Sequence, residues 1–348
     1  MSEITKIDKN FDIKNEISDE LVYYNTLNEP FSTHGVFFEG GIYRRIPEAV
    51  AKATSPGVEA VHKHTSGGRV RFITNSPRVA FRAKIHSAWK LNNEAVSGSS
   101  GFDLYERRDG KIQFVKGLVP PQDAQGGYGA VVNFGTAEER ELIFNFPQYA
   151  GISEFEVGIN EGATLKAPAP YTVSTPIVYY GSSITQGACA SRPGLSYENI
   201  ISREFDCDYI NLGFSGNAKG ERSIAEYIAG LNMWVFVYDY DFNAPTVEYL
   251  KETHEPMFKI IRDAHPDLPI IMMSRPSPAP NAERVAVIKE TYENALKSGD
   301  KNVYFIHGQE LTAISGHDTT VDNTHPNDLG FYSMATAIIK ALKTIFNK

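Results

Sequence analysis

PIVYYGSSITQG, Pro176 to Gly187, decides the fold of this chain. Its first six residues form a continuous apolar run, the pattern of a strand buried on both faces. A glycine and polar turn residues end the run, and a helical stretch from Ser196 to Phe205 follows. The unit then recurs. DYINLG (Asp208 to Gly213) is the next strand, and MWVFVYD (Met233 to Asp239) precedes a helix through Val247 to Ala264. PIIMMS (Pro269 to Ser274) precedes a helix from Ala282 to Leu296, and NVYFIHG (Asn302 to Gly308) precedes one from Leu329 to Phe346. In that last helix Ala335, Ile338, Ile339, Leu342 and Ile345 share one face. Apolar strands alternating with helices imply a parallel sheet covered on both sides. Such sheets bind ligands beyond the carboxyl ends of their strands, where the strand order reverses. The loops after Gly181, Gly213, Asp239, Ser274 and Gly308 should therefore hold the site.

Upstream the pattern changes. RVRFIT (Arg69 to Thr74), RVAFRAKIH (Arg78 to His86), GFDLYER (Gly101 to Arg107), KIQFVKG (Lys111 to Gly117), ELIFNF (Glu141 to Phe146) and SEFEVGI (Ser153 to Ile159) are short runs. In RVAFRAKIH, Val79, Phe81, Ala83 and Ile85 fall on one side, the period of two of a half-buried strand. Turn signals such as TSGG (Thr65 to Gly68), NSP (Asn75 to Pro77) and RDG (Arg108 to Gly110) separate the runs, and no convincing long helix appears. An all-β sandwich of jelly-roll type is expected. KAPAPYT, Lys166 to Thr172, reads as an extended connector, dividing the chain into residues 1–168 and 173–348.

Composition mainly excludes. Among 348 residues, Lys+Arg 34 against Asp+Glu 42 gives a net charge of −8, which offers no basic surface for a sequence-independent grip on nucleic acid. The longest apolar run, Met233 to Tyr238, is too short for a membrane span. The N-terminal stretch has no apolar signal-peptide core, so a cytoplasmic location is expected. The two cysteines, Cys189 and Cys207, lack metal-like spacing and read as free, half-buried thiols. Phe 20, Tyr 18 and Trp 2 make the chain notably aromatic.

Each site loop has two readings. In Gly181-Ser-Ser-Ile-Thr-Gln-Gly187, a serine between a buried strand and a helix can expose its hydroxyl, or Ser182, Ser183 and Thr185 are turn and cap residues. In Asn211-Leu-Gly-Phe-Ser-Gly-Asn217, a glycine N–H can donate to an oxyanion, or the loop is a flexible turn. In Asp239-Tyr-Asp-Phe-Asn-Ala-Pro245, Asn243 offers a neutral donor, or is an ordinary turn residue. In Asp322-Asn-Thr-His-Pro-Asn-Asp328, Asp322 and His325 can meet across one turn as orienting acid and general base. Alternatively, Asn327 or Asp328 caps the last helix and Asp322 and His325 are loop residues. Asp239, Asp241 and Asp318 are competing acid candidates.

Taken together, in this order and at one sheet edge, these strings resemble the SGNH (GDSL-type) hydrolase family. GSSITQG looks like its first block, NLGFSGN its second, DFNAP its third and DNTHPN its fifth. The resemblance implies a three-layer flavodoxin-like fold. It makes Ser183 the nucleophile and His325 and Asp322 its partners, with the amides of Ser183 and Gly216 and the side chain of Asn243 as an oxyanion hole. It implies no cofactor and no metal. Two departures stand out. Ser182 replaces the usual Asp before the nucleophile, and in the third block Asp241 replaces Gly and Ala244 replaces Asp. GFDLY, Gly101 to Tyr105, and NFPQYAGISEFEVGI, Asn145 to Ile159, resemble the GxDLY sandwich domain that precedes some bacterial SGNH esterases. Its partner is generally a carbohydrate acetylesterase.

The expected substrate follows: a short acyl group on a sugar, as an acylated oligosaccharide or another small ester. Trp89 is a candidate for stacking on a sugar ring, or else a core or inter-domain packing residue, and the polar segment Lys90 to Ser100 could reach the site. Arg275 faces the predicted site edge and could bind a hydroxyl-rich or anionic substrate, or form a surface salt bridge. Asp103 and Tyr105 either contact substrate or are structural. Esterase or acyltransferase action on another alcohol or lipid, and a carbohydrate-binding protein with a vestigial site, are the alternatives.

Overall fold

A computed structural model describes residues 3–122 and 124–347. The N-terminal half is rich in sheet. Leu21–Asn25, Ala150–Asn160, Arg78–Ala88 and Gly127–Asn133 form one antiparallel sheet in that spatial order. A second contains Leu165–Lys166, Arg69–Thr74, Arg140–Asn145, Phe102–Arg108 and Lys111–Leu118, with Ser32–His34 paired to Arg69–Thr74. The inward residues of both sheets make one core. Phe81 alone meets Phe102, Tyr128, Phe144 and Phe155 with ring centroids 4.8–5.9 Å apart. Much of the aromatic surplus is therefore spent on packing, and each fully buried ring contributes roughly 1.5–3 kcal/mol by leaving water.

The C-terminal half is the expected three-layer α/β unit. Its five strands are all parallel, in the spatial order Cys207–Gly213, Val173–Gly181, Val235–Asp239, Ile270–Met273, Val303–Ile306. Numbered along the chain that order is 2-1-3-4-5, which reverses beside the first strand. Side-chain alternation feeds two cores: Val178 and Tyr180 point to one face, Ile177 and Tyr179 to the other. Helices Arg222–Ala229, Val247–Ala264 and Ala282–Lys297 cover the first face, and Tyr197–Phe205 and Asp328–Ile345 the second. Thr246 and Asn327 start two of these helices by accepting the amides of Tyr249 and Gly330. In the last helix Ala335, Ile338 and Leu342 are fully buried.

One part of the N-terminal half departs from expectation. Two short helices, Glu48–Thr54 and Pro56–Val61, dock onto the parallel sheet, and Ile46, Ala51, Val58 and Val61 join its core. The seam between the halves is also charged. Arg69 binds Asp208, Arg107 binds Asp206 and Arg192 binds Asp103 across it. Arg45, 1% exposed, donates to the carbonyls of Val61, His64, Asn211 and Gly213, and burial pulls its pKa down to about 9. A guanidinium has five donors in a fixed fork, so it can be buried when several carbonyls surround it.

Candidate active site

Ser183 stands at the reversal of strand order, just beyond the first parallel strand. Gly181 must be glycine there, since a Cβ would lie 2.0 Å from Asp239 Oδ1 and 2.2 Å from Thr185 Oγ1. Ser182 caps the short helix Ser183–Gln186 by accepting the Ile184 amide, so the residue replacing the family's usual Asp has a local task. Thr185 donates to Asp239 Oδ1 at 2.7 Å. Burial, then the nearby charge of Asp241, push the Asp239 carboxyl up to about 8, while the Thr185 bond opposes them.

Ser183 Oγ lies 3.0 Å from His325 Nε2, and His325 Nδ1 lies 2.8 Å from Asp322 Oδ2. Partial burial raises the Asp322 carboxyl, but hydrogen bonds from the His325 amide and imidazole outweigh it and hold the group below the usual carboxylate range. A carboxylate only accepts, so Nδ1 carries the proton and Nε2 is left to accept from the serine hydroxyl. A hydroxyl, an imidazole and a carboxylate in this chain can activate the hydroxyl as a nucleophile. The competing acids lie elsewhere. Asp239 is under Thr185, Asp241 accepts the Arg275 amide, and Asp318 uses its carbonyl to hold Asn327.

The second and third loops are tied to this point. The Phe214 amide donates to Gly181 O at 2.9 Å, and Asn243 Nδ2 donates to Phe214 O at 3.2 Å. An amide group has two N–H bonds, so one remains for a ligand. Gly216 has φ +69°, the left-handed conformation suited to glycine, and its amide has no hydrogen-bond partner among the described residues. The Gln186 side chain orders the same loop by accepting the Ser215 amide at 3.0 Å and donating to Gln148 O.

Other expected contacts fall differently. Asp103 (0% exposed) and Tyr105 (3%) are buried. Asp103 accepts from Asn145, Arg192 and the Gly194 amide, and Tyr105 takes Arg192 and donates to Gly194 O. These two residues of GFDLY fasten the halves together, because full burial requires their polar atoms to be satisfied within the protein. Arg275 stacks on Phe242 at 3.9 Å and donates to Asn323 O, beside Asp322. It is engaged by its own chain, and Asp241, where the family has Gly, accepts its amide. Trp89 is 39% exposed and packs edge-on against the buried His64. Its amide donates to Tyr149 O, and the Tyr149 hydroxyl donates to Ser215 Oγ. Burial pushes both thiols up to about 12, so Cys189 and Cys207 stay protonated. Three participants were not read from the sequence: Arg45, Gln186 and Asn93. Asn93 does lie in the segment expected to reach the site, and its Nδ2 donates to Asp322 Oδ2 at 2.6 Å.

A 2-1-3-4-5 parallel sheet with this serine at its reversal point is the SGNH hydrolase fold, and the protein is a hydrolytic enzyme acting on esters. A model of the GDSL-like lipase/acylhydrolase family matches residues 174–343, and one described as the GxDLY N-terminus of SGNH-hydrolase-type esterases matches residues 21–165. A Bacteroides ovatus protein described as a GDSL-like lipase is 31% identical, with a TM-score of 0.84 over 94% of this chain and 98% of that one. This chain therefore belongs to the GDSL-like lipase/acylhydrolase family. The fold is shared with the salicylyl-acyltransferase SsfX3 from a tetracycline biosynthetic pathway (20% identity, TM-score 0.77, 95% and 99% of the two chains). It is also shared with the acetyl xylan esterase Est2A from the rumen bacterium Butyrivibrio proteoclasticus (12%, 0.62, 94% and 99%). No curated protein sequence matches the chain.

Proposed function

We propose that the protein is a serine esterase that removes short acyl groups, most simply acetyl, from carbohydrate. The observation that carries this reading is the unbroken hydrogen-bonded chain from Ser183 through His325 to Asp322. Ser183 Oγ attacks the ester carbonyl while His325 Nε2 takes its proton. The amides of Ser183 and Gly216 and the Asn243 side chain receive the oxyanion. His325 then protonates the departing alcohol, leaving an acyl-serine. Water, deprotonated by His325, attacks that ester and releases the acid, restoring the serine. Asp322 holds the imidazole in the required tautomer throughout.

The carbohydrate part is supported by Trp89, which is 39% exposed and of the residue type that stacks on sugar rings. Fold likenesses to carbohydrate esterases agree with it. The test has two arms. A fluorophosphonate should label wild-type protein and fail to label Ser183→Ala. Acetate release from acetylated oligosaccharides should exceed release from long-chain aryl esters. Labelling of Ser183→Ala would overturn the nucleophile, and a preference for long acyl chains would overturn the substrate class.

A further inference from the structure

The carboxylate of Asp322 has four hydrogen-bond donors. Oδ1 accepts the amides of Thr324 and His325 at 3.0 and 2.8 Å, and Oδ2 accepts His325 Nδ1 at 2.8 Å. Those three belong to its own turn. The fourth, Asn93 Nδ2 at 2.6 Å on the same Oδ2, comes from the other half of the molecule, 229 residues away in sequence. It is the shortest of the four.

Asn93 is itself tethered. Its carbonyl accepts from Cys189 Sγ at 3.3 Å, so its backbone adjoins the chain just after the Ser183 helix. Glu94 beside it is 9% exposed, and burial pushes its carboxyl up to about 8. At the other end of the segment, Trp89 joins Tyr149 and through it Ser215. Residues 89–94 thus connect the nucleophile side, the oxyanion loop and the acid.

We infer that Asn93 is a positioning residue for Asp322, and that through it the sheet-rich half completes the hydrolytic apparatus. The physical reason lies in how little else fixes this carboxylate from outside. Asp322 and His325 side chains are 31% and 23% exposed, and a donor on the far side of Oδ2 stops the carboxylate from rotating away from Nδ1. Water can also donate there, but it carries no fixed direction. Among the described residues, Asn93 has no hydrogen bond to the Ser183 hydroxyl or the His325 imidazole, so its effect passes through Asp322.

This inference rests on the proposed roles of Ser183, His325 and Asp322, and the experiment separates the two. Aryl acetate hydrolysis is measured for the full chain carrying Asn93→Ala, Asn93→Asp, Asp322→Ala and the Asn93→Ala/Asp322→Ala pair. Asn93→Ala should lower kcat on the order of tenfold, as loss of an orienting outer partner does, with KM changed by less than about twofold. Asn93→Asp keeps the shape, removes the donor and should lose at least as much. In the Asp322→Ala background, Asn93→Ala should cost nothing further, because residues acting as a unit are not additive. Asn93 is exposed, so melting temperatures should be unchanged. Wild-type kcat in both Asn93 variants, a loss confined to KM, or an undiminished loss in the paired variant would overturn the inference. Wild-type activity in Asp322→Ala would instead overturn the reading of the site itself.

Discussion

Ser183 and the Asp322–His325 pair are held by different means. The serine, 6% exposed, follows a strand that is paired on both sides, with Gly181 in register with Gly213 and Asp239. Its place is set by sheet hydrogen bonds and by close packing that Gly181 alone permits. The pair sits on an irregular stretch between a short 3-10 helix, Gly316–Thr319, and the last helix. There the backbone has one bridge, Thr320 to Pro326, and Asn323 has φ +65°. Side chains from distant segments hold it: Asn93 on Asp322, and Arg275 on Asn323 O. The proposed nucleophile is fixed by secondary structure, whereas the proposed acid–base pair, reaching back over it from a loop, needs pins supplied by tertiary contacts.

Perturbing either side tests that contrast. Ser183→Ala should lose roughly 10⁴-fold or more in kcat on an aryl acetate with an unchanged melting temperature, since the backbone needs no hydroxyl there. Residual turnover close to wild type would remove the serine from the chemistry. Asn243→Ala should cost about 10²–10³ in kcat, the usual effect of losing one oxyanion donor. A change in KM alone would make Asn243 a binding residue.

The seam supplies a stability counterpart. Burial raises the Asp208 carboxyl, but the hydrogen bond to His34 and the charge of Arg69 bring it below its ordinary value. A lowered folded pKa means a contribution fully present above the unfolded value near ~3.9 and lost as pH falls through the folded one. Asp208→Asn also leaves the buried Arg69 without its anion, so it should destabilise by on the order of 3 kcal/mol at pH 7. Denaturant titrations should show that gap narrowing towards pH 3, and a constant gap would contradict the ion pair. The smallest effect is expected at Arg275. Arg275→Met keeps an apolar contact with Phe242 but drops the bond to Asn323 O, and kcat should fall about tenfold with little change in stability. An unchanged kcat would show that the turn around Asp322 needs no such pin.

The strand and helix pattern of the C-terminal half was legible to within about three residues, except for the helix Arg222–Ala229, which was not read from the sequence. The helix expected at Val247 to Ala264 is found there, and the last strand and helix shift by only a residue or two. Each element carries its own periodicity and caps, so little distant information is needed. The two helices Glu48–Thr54 and Pro56–Val61 were missed, although Ser55-Pro56 is a helix start in which Ser55 accepts the Val58 amide. They are short, and their stability comes from docking on the parallel sheet, which no local pattern displays.

What the sequence by itself determined is the set of chemical groups and the loop that carries each: Ser183, Gly216, Asn243, Asp322 and His325, ordered along one predicted sheet edge. What only the tertiary structure decided is which groups are free. Arg275, Asp103 and Tyr105, which the sequence left open between substrate contact and a structural role, bond within the protein, while Asn93, in a segment read as a polar loop, bonds Asp322. The physical reason is range. Periodicity and capping act over a few residues, but a hydrogen bond between segments 229 residues apart depends on how two packed cores meet.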